Sequence, residues 1–193
     1  MLYSMAYDLK SVFYLDTDVT ITAATAGAGS GQLDLSAYID PIARGRQKGT
    51  GLAIYKVHFV TSQGANSEPI DDEEAGSFRA GIVAGLGVGD NATGAVATAS
   101  SIFRATNNLL VASYDFYGPK SMIANASTTP SMYENLMMPS TEVPYVVVRD
   151  NVCLVYDVGD QLTADTNLSV RLECAQISLD QATLNQLLRT QTV

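Results

Sequence analysis

The amino-acid sequence predicts an all-β protein: a single jelly roll or two-sheet antiparallel β-sandwich of about eight strands, followed by a short C-terminal helix. Short runs of β-branched and aromatic residues recur along the chain. Turn residues such as Asp150-Asn151 and Gly159-Asp160 separate these runs. No internal repeat and no linker divides the 193 residues, a length that suits one well-buried domain and is short for two. We therefore expect one domain over residues 1–193.

The first part of the chain predicts an arm and two short strands. Residues 1–11 alternate weakly between apolar and polar, which predicts an arm that orders only against a partner. Val12–Leu15 and Val19–Thr22 have strand composition, and Asp16-Thr17-Asp18 is expected to separate them. Ala23–Gly31 consists of small residues and is predicted to be a loop.

Leu52–Val60 is the clearest half-buried strand in the first half of the sequence. Apolar residues fill its odd positions, whereas Lys56 and His58 are among the even ones. This alternation predicts that the odd positions face the core and that the even positions are partly solvated. The odd positions are Ala53, Tyr55, Val57 and Phe59. Upstream, Leu33–Ile42 is predicted to be a short helix or an extended segment, because Pro41 disfavours helical angles at Asp40.

The middle of the chain predicts two apolar strands between long polar segments. Thr61–Ala75 is predicted to be a polar loop, and Phe78–Val88 is an apolar run with interspersed glycines. Leu109–Tyr117 shows strand alternation. Ser121–Met138 matches no regular pattern and is predicted to be a long insertion.

The last third of the chain predicts three strands and the helix. The runs Val143–Arg149, Val152–Tyr156 and Leu168–Ile177 are short and rich in β-branched residues, which predicts consecutive strands of an antiparallel sheet. Residues 178–190 then predict a helix with Ser178 as its N-cap, since Gln181 follows at capping-box spacing. Its apolar stripe consists of Leu179, Ala182, Leu184, Leu187 and Leu188.

Composition limits the classes of partner. Charged residues make up 16% of the sequence, against roughly 25% in an ordinary soluble domain, so we expect a surface that is largely neutral or covered by neighbouring subunits. The net charge of −9 argues against a protein whose whole surface attracts nucleic acid or anionic lipid. The segment from Met1 to Leu15 lacks a basic start, and no window reaches the roughly 18 apolar residues of a membrane span. We expect a soluble protein without a cleaved leader.

Cys153 and Cys174 are the two cysteines, and both fall in predicted strands. Two cysteines cannot by themselves form a disulfide scaffold or a zinc site. They can pair if the two strands are neighbours, and otherwise they act as small buried hydrophobic residues. We expect the second arrangement.

Residues for acid–base or nucleophilic chemistry are sparse. His58 is the one histidine, without a sequence signal for an orienting acid or a nucleophile, and we expect a structural or surface role. Three acidic groups are predicted to be solvated loops, with bridging of Ca²⁺ as the alternative. These groups are Asp16 with Asp18, Asp71-Asp72-Glu73-Glu74, and Asp157 with Asp160. We expect no enzyme activity, no cofactor and no small-molecule substrate.

A basic segment precedes the Leu52–Val60 strand. Arg44, Arg46 and Lys48 lie within five positions of one another, and no aromatic residues are interleaved with them. A solvated loop is one interpretation, and contact with another subunit, with a genome or with an inner membrane is the other. These three residues are the sequence-predicted candidates for subunit or genome contact.

The sequence resembles the small single jelly-roll capsid proteins of tailless icosahedral viruses. The resemblance covers at most half of the chain: the strands Leu52–Val60 and Tyr145–Ile177, with neutral small-residue loops between them. The segment Leu35–Tyr55, which contains Asp40-Pro41-Ile42-Ala43-Arg44-Gly45-Arg46, is similar to marine virus sequences. The resemblance implies a virion protein that assembles with copies of itself and with other virion proteins. No functional residues carry over, because such proteins share shape more than motif.

Two other classes of protein fit the same features. A tail-tube or neck component of a tailed phage is also a small, acidic, β-rich protein that polymerises. A carbohydrate-binding β-sandwich module is the other alternative, for which ten Tyr are available although Trp is absent. We expect the capsid subunit.

Overall fold

A computed structural model describes residues 12–40, 48–71, 73–85, 102–118, 132–136 and 138–191. The predicted arm at residues 1–11 and most of the predicted insertion lie outside the described residues. The described part of the chain forms nine strands and one helix, and the prediction of an all-β sandwich with a short C-terminal helix is confirmed. The elements are β1 (Val12–Ile21), β2 (Gly27–Asp34), β3 (Lys48–Gln63), β4 (Ser77–Ala84), β5 (Leu110–Tyr117), β6 (Met132–Leu136), β7 (Tyr145–Val147), β8 (Asn151–Asp160), β9 (Thr166–Asp180) and α1 (Gln181–Thr190).

The strands form two antiparallel sheets with a jelly-roll order. The four-stranded sheet has the order β1-β9-β3-β7, and the five-stranded sheet has the order β2-β8-β4-β5-β6. Early strands pair with late strands in reverse order: β1 with β9, β2 with β8, β3 with β7, and β4 with β5. The chain is therefore an antiparallel ribbon that rolls over itself, and successive strands alternate between the two sheets along most of its length.

This alternation corrects the prediction for the last three strands. Strands β7, β8 and β9 exist where expected, but they are not neighbours in one sheet. Strand β8 belongs to the five-stranded sheet, and β3 separates β7 from β9 in the other. Strand composition identifies each strand, whereas its partner depends on how the distant half of the ribbon folds back.

The inner faces of both sheets share one hydrophobic core. Residues such as Ile54 and Leu172 from the four-stranded sheet join Ile82 and Leu154 from the five-stranded sheet. Phe78 stacks on Phe116 with ring centroids 5.1 Å apart, which ties β4 to β5 inside this core. Apolar side chains from both sheets pack against one another between the sheets and form the core of the described residues.

Two segments near the start of the chain differ from their predicted structure. β1 is continuous through Asp16-Thr17-Asp18, because these residues keep the strand alternation, with Asp16 and Asp18 exposed. β2 replaces much of the predicted small-residue loop, since each residue of Gly27–Asp34 pairs with β8. A Cβ at Gly29 would overlap the hydroxyl of Tyr156 on β8, so glycine at this position leaves room for the tyrosine ring.

A bulge in β3 reverses its alternation. Ile54 pairs with Cys174 and Lys56 pairs with Glu173, which leaves Tyr55 as an extra residue. Beyond the bulge the odd positions enter the core as predicted, for example Val57. Before the bulge the even position Ile54 enters the core, and Ala53 and Tyr55 form a separate buried cluster with Ala175. The predicted inward facing of the odd positions is therefore wrong for Ala53 and Tyr55.

The N-cap of helix α1 is Asp180, two residues after the predicted N-cap Ser178. β9 continues through Ser178 to Asp180, and the Asp180 carboxylate caps the helix by accepting a hydrogen bond from the Thr183 N–H at 2.7 Å. The helix packs onto β3 above Gly49, where a Cβ would lie 2.6 Å from Cδ2 of the buried Leu184. Glycine at this position therefore allows the helix to approach the strand closely.

Candidate functional site

The outer surface of the four-stranded sheet carries a continuous polar patch, which we call the β1–β9–β3 face. Opposite residues of paired strands point to the same side of a sheet. The register aligns Tyr14, Glu173 and Lys56 in one row and Asp16, Arg171 and His58 in the next. A third row consists of Asp18, Ser169 and Val60. These nine residues define the face.

Two contacts organise the centre of this face. His58 and Glu173 form a hydrogen bond of 2.8 Å between Nε2 and Oε1, and both side chains are partly exposed. The guanidinium carbon of Arg171 lies 5.8 Å from the centre of the Tyr14 ring, within the range of a cation–π contact. Each of these β9 side chains is therefore held by a neighbouring strand.

The face encloses a shallow depression of about 850 Å³, whose floor is the three strands. It brings together residues that the sequence analysis treated separately, because Asp16, Asp18 and His58 all line it. Sequence reasoning found no orienting acid for His58. Glu173 occupies that position, and it lies 115 residues away in the chain, so local spacing gives no signal for it.

The predicted basic candidates do not join this face in the described residues. Arg44 and Arg46 lie outside the described part of the chain. Lys48 is exposed at the first position of β3, opposite Asp180. The hydrogen bonds from Thr183 lower the pKa of the Asp180 carboxyl, and the charge of Lys48 lowers it further. Lys48 therefore lies beside the start of α1.

The predicted acidic loops have different environments. Asp16 and Asp18 lie on β1, and Asp157 and Asp160 lie on β8, so both pairs are in strands. Asp71 is exposed, and Asp72 lies outside the described residues. Within the described ranges, no group of three or more His, Cys, Asp and Glu side chains is placed to hold a metal ion.

Glu74 is the largest departure from the predicted solvated loops, because its side chain is completely buried. Its carboxylate accepts hydrogen bonds from Gln63 Nε2 at 2.7 Å and from the Gly76 N–H at 2.6 Å. Thr163 donates to it from both its N–H and its hydroxyl. The carboxylate thereby joins the end of β3 to the segments before β4 and β9, which is a structural role.

Cys153 and Cys174 are both free and buried. They lie in different sheets, on β8 and β9. Burial raises the pKa of the Cys153 thiol to about 11 and that of the Cys174 thiol to about 12. The expectation of two buried thiols that act as small hydrophobic residues is confirmed.

No protein-family model matches the chain, and no curated protein matches it either. Among the described residues, no helix combines the length and the apolar character needed to cross a membrane.

Proposed function

We propose that this protein is a virion structural protein, a capsid subunit that self-assembles into an icosahedral shell. The observation that carries the proposal is the rolled ribbon, in which β1, β2, β3 and β4 pair with β9, β8, β7 and β5. Double-sheet jelly rolls of this kind recur in viral capsid and lectin domains and in cupins. These three classes differ in whether the space between the sheets or the outer surface of the protein carries the function.

The interior favours a structural subunit over a protein that binds a ligand between the sheets. Among the described residues, apolar side chains from both sheets form one core cluster in that space. The histidine and the carboxylates of the polar patch lie on the outer surface instead, on the β1–β9–β3 face. A subunit of this kind acts through its outer surfaces.

The composition supports assembly. Charged residues are 16% of the chain, and a low charge density suits surfaces that are covered by other subunits. Stable assemblies bury large areas, and a closed symmetric array adds the free energies of many modest contacts. Other virion proteins are the remaining partners that this proposal implies.

Size-exclusion chromatography with light scattering tests the proposal, followed by negative-stain microscopy of any large species. We expect self-association that increases with concentration and closed shells or shell fragments in the micrographs. Open rings or tubes would instead support a tail-tube or neck component. A monomer at tens of micromolar, with no particles at any salt concentration, would contradict the proposal.

A carbohydrate-binding module is the second candidate, and the exposed ring of Tyr14 favours it. Sugars stack on exposed aromatic rings, and Asp16, Asp18 and Ser169 beside Tyr14 are suitable partners for hydroxyl groups. A glycan array with the native protein and a Tyr14→Ala control tests this function. Binding that is lost in the variant would support the module, and an array without hits would exclude the glycans tested.

A further inference from the structure

We propose that the β1–β9–β3 face binds the same face of a second copy of this chain. The inference rests on the proposed function and deepens it, because it names one surface through which the subunits associate. Its evidence is the placement of exposed apolar side chains and of charge on this one face.

Exposed apolar side chains are concentrated on this side of the molecule. Four large apolar side chains are exposed in the described residues, and three of them lie on β1 and β3. Tyr14 is 61% exposed and Val60 is 59% exposed, both within the face, and Val12 at the start of β1 is 50% exposed. Because apolar surface gains free energy when it leaves water, such a grouping indicates an interaction surface.

Charge is separated across the same face. Asp16 and Asp18 form an acidic column on β1, whereas Arg171 on β9 and Lys56 on β3 carry positive charge on the other side. Glu173, which is hydrogen-bonded to His58, lies between Tyr14 and Lys56, and it leaves the β9 and β3 side with the smaller net positive charge. A two-fold axis that runs parallel to the strands between β1 and β9 would place Asp16 of each copy opposite Arg171 of the other, because the register puts these two residues in one row. The face is therefore complementary to itself.

The size of the face sets the strength of the contact. Three strands spaced about 4.8 Å apart, each contributing a length of roughly 17 Å to the face, give a projected area of at most about 250 Å² per copy. Stable dimers bury about 800 Å² per partner. We therefore expect weak association, which becomes weaker as salt screens the charges. The Arg171 guanidinium lies over the Tyr14 ring, where a sugar would otherwise stack. The face therefore suits a second copy of the chain better than a glycan.

A pair of complementary charge reversals tests the inference. One variant carries Asp16→Lys and Asp18→Lys, and the other carries Lys56→Glu and Arg171→Glu. All four positions are exposed, and circular dichroism with thermal melting checks that both variants fold. Sedimentation velocity from about 5 to 500 μM at low and high salt measures association, for each variant alone and for their equimolar mixture. Glu142→Lys, which reverses the charge of an exposed loop residue outside the face, is the control.

Each folded variant alone is expected to lose at least tenfold in self-association, because acidic or basic columns then face their own kind. The mixture is expected to recover association, since the reversed columns are again complementary. Wild-type association that is unaffected by either reversal would overturn this inference and leave the proposed function intact, with assembly through other surfaces. A monomeric wild type would contradict both. If the wild type binds a glycan and both charge-reversal variants lose that binding while their self-association is unchanged, the face binds a sugar and the inference is overturned.

Discussion

Thr163 donates both its backbone N–H and its hydroxyl to the buried carboxylate of Glu74, and the hydroxyl contact is 2.7 Å long. The same carboxylate holds Gln63 at the end of β3 and the Gly76 N–H just before β4. Three segments distant in sequence therefore meet on one side chain. Burying a carboxylate costs free energy unless hydrogen bonds compensate for the lost water, so removal of any one of these donors should destabilise the fold.

Glu74→Gln is expected to lower the free energy of unfolding by about 3 kcal/mol, because an amide offers one acceptor oxygen and turns N–H groups toward existing donors. Urea unfolding followed by circular dichroism measures the change. Glu142→Gln removes the same charge from an exposed loop and is expected to change stability by less than about 0.5 kcal/mol. Equal stability of the two variants would show that Glu74 contributes no more than a surface carboxylate.

The side-chain amide of Gln191 hydrogen-bonds to backbone groups at the edge strand β7, as a paired strand would. Its Nε2 donates to the Val146 carbonyl at 2.6 Å, and its Oε1 accepts from the Val148 N–H at 3.1 Å. Gln191→Ala is expected to cost about 1–2 kcal/mol of unfolding free energy and to speed hydrogen exchange at the Val148 amide. Gln186→Ala, on the exposed side of α1, is the control. Unchanged exchange at Val148 in the Gln191 variant would rule out this role.

The contact between Gly49 and Leu184 predicts a non-additive pair of substitutions. Gly49→Ala is expected to cost about 1–3 kcal/mol, because the new methyl group would overlap Leu184 Cδ2. Leu184→Ala is expected to cost about 2–5 kcal/mol through the cavity it leaves. In the double variant the new methyl group enters that cavity, so the combined cost should fall below the sum by at least about 1 kcal/mol. Additive costs in chemical unfolding would contradict the close packing of α1 on β3.

The strands could be predicted from sequence to the extent that local alternation is uninterrupted. Leu109–Tyr117 agrees closely with β5, and Leu168–Ile177 lies within β9. The alternation of β3 was misleading, because the extra residue at Tyr55 exchanges inner and outer positions and no local residue type marks it. β2 was missed because glycine has a low strand propensity, and its small size is needed here beside Tyr156 and Val19, which lie far away in the sequence or on another strand.

The candidate site was harder to predict than the strands. Each strand alone presents exposed polar residues, which is the ordinary pattern of a sandwich surface. The face exists because β9 inserts between β1 and β3, which brings Glu173 to His58 and Arg171 to Tyr14. That insertion follows from the ribbon topology. The prediction of Arg44 and Arg46 as contact residues stays a prediction, since both lie outside the described residues.

The buried thiols predict a loss of stability in alkaline solution. Unfolded thiols ionise near pH 8.5, whereas burial raises the pKa of Cys153 to about 11 and that of Cys174 to about 12. Above about pH 8.5 the unfolded chain releases protons that the folded chain retains, so the free energy of unfolding falls as pH rises. Each thiol contributes about 1 kcal/mol per pH unit until its folded pKa is reached. Tyr145, whose pKa burial raises to about 12, adds to the decline above about pH 10.

Urea unfolding midpoints measured from about pH 7.5 to about pH 10.5 check this dependence. These pH values cover roughly the range from below the unfolded pKa of the thiols to just below their folded pKa. A Cys153→Ala, Cys174→Ala double variant is expected to show a shallower decline, because Tyr145 and Tyr156, whose pKa values burial also raises, contribute only near the alkaline end of this range. In the folded wild type at about pH 8, both thiols should react with a thiol reagent far more slowly than in urea, since the thiolate is the reactive form. Rapid reaction of either thiol in the folded protein, or identical slopes for wild type and double variant, would contradict the burial of these groups.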